Sequence, residues 1–143
     1  MLMGEHAHTI DAKGRIILPA EFREDLGERF VITRGFDTCL SIYSEADWQV
    51  LTEKLKSMPV AKPEVRMLSR VFVSVARVLD CDRQGRFLVP GNLRKFALLE
   101  KDVVLAGVIN RVEVWSKAEW ERYNDAVIPS ISTMAESLAE LGF

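Results

Sequence analysis

Asp11-Ala12-Lys13-Gly14-Arg15-Ile16-Ile17-Leu18-Pro19 is echoed by Asp82-Arg83-Gln84-Gly85-Arg86-Phe87-Leu88-Val89-Pro90, an offset of 71 residues. Farther on, Arg34-Gly35-Phe36 and Leu40 to Trp48 match Ala106-Gly107-Val108 and Val112 to Trp120, now offset by 72 residues. One inserted residue separates the two frames. A turn, a proline, alternating apolar runs and a closing Ser-x-x-x-Trp recur in the same order, so the chain holds two copies of one unit.

Each copy reads as strand, tight turn, strand, short helix, hairpin and longer helix. Gly14 and Gly85 supply the positive φ that such a turn requires, and Asp11 and Asp82 can hydrogen-bond the turn backbone. Pro19 and Pro90 end their strands and open short helices, the first closed by Gly27. Phe30–Thr33 with Cys39–Tyr43, and Val103–Leu105 with Val112–Trp115, read as hairpins. Ser44 and Ser116 are suitable N-caps for the helices that follow, and Trp48, Leu51 and Leu55, or Trp120 and Tyr123, share a face expected to join the core.

Between the copies, Met58 to Pro63 is a proline-bracketed linker. Glu64 to Phe72 has helical apolar spacing, and the second copy's first strand runs from about Ala76 to Cys81. Residues 126–143 place Ile128, Ile131, Met134, Leu138 and Leu141 at helical spacing, a tail that either docks on a neighbouring subunit or stays loose. The division is therefore a first lobe at 1–57, linker and helix at 58–74, a second lobe at 75–125 and a C-terminal tail at 126–143. A lobe of about 50 residues with open strand edges cannot bury enough surface alone, which predicts interleaved hairpins sharing one core.

Composition narrows the function classes. Of 143 residues, 48% are hydrophobic and 28% charged, an ordinary globular balance. Apolar runs reach only about 4 to 5 residues against the roughly 20 of a membrane span, and Met1 to His6 has neither a basic start nor an apolar stretch. A cytosolic protein is expected. The two cysteines, Cys39 and Cys81, stand apart from any metal-ligand spacing and read as buried packing. His6 and His8 share one face of the first strand, but no third metal ligand is in view. No nucleophile–base pair, phosphate loop or paired acids can be recognised around Ser41, Ser69 or Ser74, so neither an enzyme, a small-molecule substrate nor a cofactor is expected.

The net charge of −2 argues against a generic nucleic-acid binder. Its distribution matters more: Lys and Arg number 7 against 10 acids over residues 1–57, 8 against 3 over 58–96, and 4 against 8 over 97–143. The basic middle includes Arg66, Arg70, Arg77, Arg83, Arg86, Arg94 and Lys95, a contact stripe or merely a solvated face. Turn geometry explains Asp and Gly in the repeated motif but does not require the arginine after them. Two readings of Arg15 and Arg86 follow. Each arginine, with Lys13 or Arg83 beside it, contacts phosphates or guanine edges from a hairpin tip in a major groove; or Arg15 pairs with Asp11 and Arg86 with Asp82, buttressing the turn and nothing more.

The doubled Asp-x-x-Gly-Arg-strand-Pro-x-x-hydrophobic-Arg, each copy followed by a hairpin and Ser-x-x-x-Trp, resembles the MraZ family over about residues 1–125. The resemblance implies an α+β, β-rich fold of tandem AbrB/SpoVT-like swapped-hairpin lobes, forming an intrachain pseudo-dimer with flanking helices, with chains closing into rings. It also implies a nucleoid-associated regulator that binds double-stranded DNA at direct repeats in the promoter of its own division and cell-wall gene cluster, as an autorepressor. By position, Arg15 and Arg86, with Lys13 and Arg83, become DNA contacts, while Asp11, Gly14, Asp82 and Gly85 form the turns. Lys13 is replaced by Gln84 in the second copy. Related swapped-hairpin lobes also resemble antitoxins, so a protein-interaction module is the alternative reading.

Overall fold

The computed structural model describes residues 1–143. Its elements are β1 (Leu2–Thr9), β2 (Arg15–Ile17), α1 (Ala20–Leu26), β3 (Arg29–Arg34), β4 (Leu40–Ser44), α2 (Glu45–Ser57), α3 (Pro63–Leu68), β5 (Arg77–Asp80), β6 (Arg86–Leu88), α4 (Gly91–Phe96), β7 (Asp102–Ile109), β8 (Val112–Ser116), α5 (Lys117–Val127) and α6 (Ile131–Ser137). Six strands form one antiparallel sheet in the order β1-β7-β8-β4-β3-β5, and β2 with β6 forms a separate two-stranded ribbon. None of the helices is long and apolar enough to cross a membrane.

The first strand of each copy is exchanged. β1 lies along the second copy's hairpin from Leu2↔Ile109 to Thr9↔Asp102, and β5 lies along the first copy's from Arg29↔Asp80 to Ile32↔Arg77. The two hairpins join edge to edge through β4 and β8, with Ser41 opposite Glu113. In the ribbon Ile16 stands opposite Phe87. Both pairs are equivalent positions of the two copies, so one pseudo-twofold axis runs through sheet and ribbon. The chain is thus an α+β protein of tandem swapped-hairpin lobes, as the repeat implied.

The exchange follows from burial. Eighteen buried residues make one cluster drawn from both copies, with Ile16, Leu18, Phe22 and Leu26 answered by Phe87, Val89, Leu93 and Ala97. Phe30 meets Phe87 edge-on at 5.9 Å between ring centres. Burying a side chain of this size contributes about 1.5–3 kcal/mol, and neither lobe can close such a core alone.

Several expectations need correction. The turns after β1 and β5 are not tips of hairpins: β1 and β2 pair with different partners, so each turn carries the chain from the large sheet into the ribbon. Glu64 to Phe72 is not one α-helix; α3 ends at Leu68 and a wider π-type turn runs over Ser69–Val73, drawn in because Thr33 donates its hydroxyl to the Phe72 carbonyl and Arg34 Nη1 donates to that of Val71 at 3.0 Å. Trp48, Leu51, Leu55 and Trp120 are half-buried and Tyr123 is exposed, because α2 and α5 lie outside the sheet with nothing over their outer faces. Their rings form side clusters instead: Trp48 stacks on Phe72 at 5.5 Å, and Trp115 on Tyr123 at 5.0 Å. Cys39 is buried, but Cys81, at the end of an edge strand, is only half-buried.

The caps match their sequence reading. Ser44 Oγ accepts from the Asp47 N–H at 3.1 Å and Ser116 Oγ from the Glu119 N–H at 3.0 Å, each cap contributing about 1 kcal/mol to its helix. Pro19 and Pro90 hold the N-cap positions of α1 and α4, and Gly27 closes α1.

Candidate nucleic-acid interface

The two Asp-x-x-Gly-Arg turns are built alike. In the first, Asp11 Oδ1 accepts from the N–H groups of Lys13 and Arg15, each at 2.9 Å, while Oδ2 accepts from Arg15 Nε at 2.8 Å. In the second, Asp82 Oδ1 accepts from Gln84 N–H at 3.0 Å and Arg86 N–H at 2.9 Å, and Oδ2 from Arg86 Nε at 2.9 Å. The N–H groups of Gly14 and Gly85 each close the loop onto the aspartate carbonyl at 2.9 Å. Chiefly the arginine backbone N–H, and then its guanidinium, hold both carboxyls below the usual carboxylate range, so both stay ionised.

The buttressing pair is therefore present, and it leaves part of each arginine unused. The aspartate engages only Nε. The two terminal nitrogens of Arg15 have no partner within the chain, and one of Arg86 donates to Gln84 Oε1 at 3.2 Å. A guanidinium held at Nε still presents its Nη1–Nη2 edge, which suits a phosphate or a guanine edge. The substitution of Lys13 by Gln84 thus has a structural consequence: in the second turn the equivalent side chain accepts from the arginine rather than adding a charge.

The ribbon brings the two turns together. Arg15 opposes Leu88 and Arg86 opposes Ile17, which places the arginines as diagonal neighbours roughly 7–8 Å apart at Cα in pleated geometry. Ile16 and Phe87 point inward and are fully buried; Ile17 and Leu88, on the arginine face, are 47% and 53% exposed. Lys13 and Arg83 are exposed at the turns and belong to none of the ion pairs.

Two further arginines pack on these turns, and the assignment from sequence missed them as site residues. Gly14 has φ +86° and Gly85 φ +77°, and each lies under a guanidinium of the opposite copy. A Cβ on Gly14 would stand 2.8 Å from Arg94 Cζ, and one on Gly85 3.0 Å from Arg23 Cζ. Each glycine therefore does two jobs, adopting the left-handed turn and leaving room for an arginine stacked across the lobes. Neither Arg23 nor Arg94 forms an ion pair, and Arg94 Nε is buried without a hydrogen-bond partner. Their signal in the sequence was the arginine that ends Pro-x-x-hydrophobic-Arg in both copies.

The rest of the basic stripe disperses. Arg66 Nη1 donates to the Val60 and Ala61 carbonyls at 2.9 and 3.0 Å, bracing the linker, and Arg70 rims a groove between α2 and α3. His6 and His8 do share one face of β1, where His6 meets Phe22 edge-on at 5.0 Å; no group of three or more His, Cys, Asp or Glu is placed to hold a metal.

Fold and site together define a duplicated swapped-hairpin protein that presents paired cationic turns about an internal twofold. The family profile described as "MraZ protein, putative antitoxin-like" matches residues 1–71 and again 72–140. The chain is 51% identical over 142 residues to the transcriptional regulator MraZ of Desulfitobacterium hafniense, covering 99% of each chain. It is 50% identical over 141 residues to that of a Thermoanaerobacter species, again covering 99% of each, and 47% identical over 142 residues to that of Clostridium tetani, also covering 99% of each. The chain belongs to the MraZ family of transcription regulators.

Proposed function

We propose that this regulator binds double-stranded DNA through the two turns flanking the β2–β6 ribbon. The observation that carries the reading is the pairing of Arg15 and Arg86 on one face of the ribbon, each held at Nε by its aspartate, with both terminal nitrogens of Arg15 and Nη1 of Arg86 left without a partner in the chain. Arg15 and Arg86 are the principal contacts, Lys13 and Arg83 add phosphate contacts, and Asp11, Gly14, Asp82 and Gly85 shape the turns. A two-stranded ribbon fits a major groove, where Ile17 and Leu88 meet thymine methyls between the arginines.

With a net charge of −2, one chain is a weak DNA ligand, so affinity comes from several linked copies. A ring of identical chains presents the same ribbon at regular intervals and suits direct repeats in the promoter of the protein's own division and cell-wall gene cluster, with repression as the outcome. This places the protein in the cytoplasm on the nucleoid, with residues 1–57 and 75–125 as the repeated units, 58–74 as the connector and 126–143 as the tail.

The test is salt-titrated binding of the wild type and the Arg15→Ala/Arg86→Ala variant to DNA from upstream of the gene, with oligomer size and folding followed in parallel. Loss of binding by a folded, assembled variant supports the contact assignment. Binding equal to wild type leaves these arginines as turn buttresses and refutes it. The family's antitoxin-like description favours a second reading, a swapped-hairpin module that holds a partner protein. A stoichiometric protein partner together with no retention of DNA would select that reading.

A further inference from the structure

The second copy repeats more than its lobe. Pro63-x-Val65-x-x-Leu68-x-x-x-Phe72 is echoed by Pro129-x-Ile131-x-x-Met134-x-x-x-Leu138, so α6 is the counterpart of α3 and the turn after it. In the first copy this segment folds back onto its own lobe: Phe72 is 3% exposed, against Trp48 and Tyr43 at ring distances of 5.5 and 6.3 Å. In the second copy it is Tyr123 of α5 that lies against Trp115, at 5.0 Å. α6 and the turn after it are left with their apolar positions in water: Ile131 is 58% exposed and Met134 39% on the helix, and Leu138 44% and Leu141 83% just beyond it.

The first copy carries a surface to match. Leu55, Val60, Val65 and Val73 line an open groove of about 630 Å³ between α2 and α3, rimmed by Lys56 and Arg70, and no carboxylate lines it. Neither cation belongs to an ion pair. Beyond Asp125 the chain has two charged side chains, Glu136 and Glu140, and both are acidic. An acidic apolar helix and a basic apolar groove therefore sit on opposite copies of the duplicated unit.

We infer that α6 and the turn after it, residues 131–141, of one chain seat in the α2–α3 groove of a second copy of this chain, with Glu136 and Glu140 facing Arg70 and Lys56. Helix and groove are different surfaces, so unless two chains exchange reciprocally the contact is heterologous and propagates from chain to chain until it closes. This rests on the ring assembly proposed above and supplies its joint; it does not involve the DNA contacts.

The test measures self-association of the full chain by light scattering after gel filtration, at low and high salt. Its four proteins are wild type, Glu136→Lys/Glu140→Lys, Lys56→Glu/Arg70→Glu, and an equimolar mixture of the two variants, with circular dichroism confirming their fold. Each reversal alone is expected to weaken association roughly 10- to 100-fold, and the mixture to regain heterotypic pairs. Variants that assemble like wild type overturn this joint while leaving the ring reading standing. Dissociated variants that fail to pair on mixing overturn the charge-matched seat. A wild type monomeric at all concentrations refutes ring and joint together, and a tail protected from proteolysis in that monomer only while Lys56 and Arg70 are intact places α6 in its own groove.

Discussion

Gly14→Ala and Gly27→Ala separate two roles that glycine plays here. Both residues have φ +86°, but nothing lies within 4 Å of a Cβ on Gly27, whereas one on Gly14 would meet Arg94 Cζ at 2.8 Å. Gly27, at φ 86° and ψ −177°, occupies a region essentially confined to glycine, where an L-residue costs about 1–3 kcal/mol, so Gly27→Ala is expected to lower the melting temperature by about 3–10 °C for a chain of this length. Gly14→Ala likewise forces an L-residue to positive φ and in addition pushes Arg94 off the turn. Because the displaced group is the end of a long side chain, the added loss of stability is small, below about 1 kcal/mol. If the turns contact DNA as proposed, the effect on binding is larger: moving a guanidinium that packs on the turn is expected to cost about tenfold in affinity per site. Thermal melting at fixed protein concentration, with binding to promoter DNA followed by fluorescence anisotropy, measures both. Equal affinity for the two variants, once both are folded and assembled, would refute the claim that cross-lobe stacking of Arg94 shapes the contact surface.

Acid should loosen the turns. Asp11 and Asp82 have folded-state pKa values lowered from 3.8, so the stability they contribute is complete above the ordinary carboxylate range and is lost as pH falls through their depressed values. Melting followed below pH 5 should show Asp11→Asn/Asp82→Asn flattening that acid limb, and an unchanged slope would count against the linkage. Phe87→Ala removes a fully buried ring on the axis shared by both copies and should cost about 3–5 kcal/mol in denaturant unfolding, against about 1–2 kcal/mol for half-buried Trp120. Burial pushes the Cys39 thiol up to about 12, while half-buried Cys81 is raised but reachable; a thiol reagent at neutral pH should label one cysteine in the folded protein and both after denaturation.

The sequence by itself determined the duplication, the turns and the helix caps, because these depend on contacts within a few residues. Asp11 bonds to Lys13 and Arg15, and Ser44 caps through Asp47, so residue type and spacing suffice. It also foretold a shared core, since two small apolar lobes cannot be stable apart. Only the tertiary structure decided which strands pair. β1 takes β7 and β2 takes β6 because long-range burial of Ile16 and Phe87 on one axis outweighs local strand–turn–strand pairing, and no short-range pattern encodes that choice. The same holds for the stacking of Arg23 and Arg94, where an arginine of one copy lies over a glycine of the other only after the exchange. The outer faces of α2 and α5 reversed an expectation for a related reason: helical spacing says which residues share a face, while the rest of the molecule decides whether anything covers it.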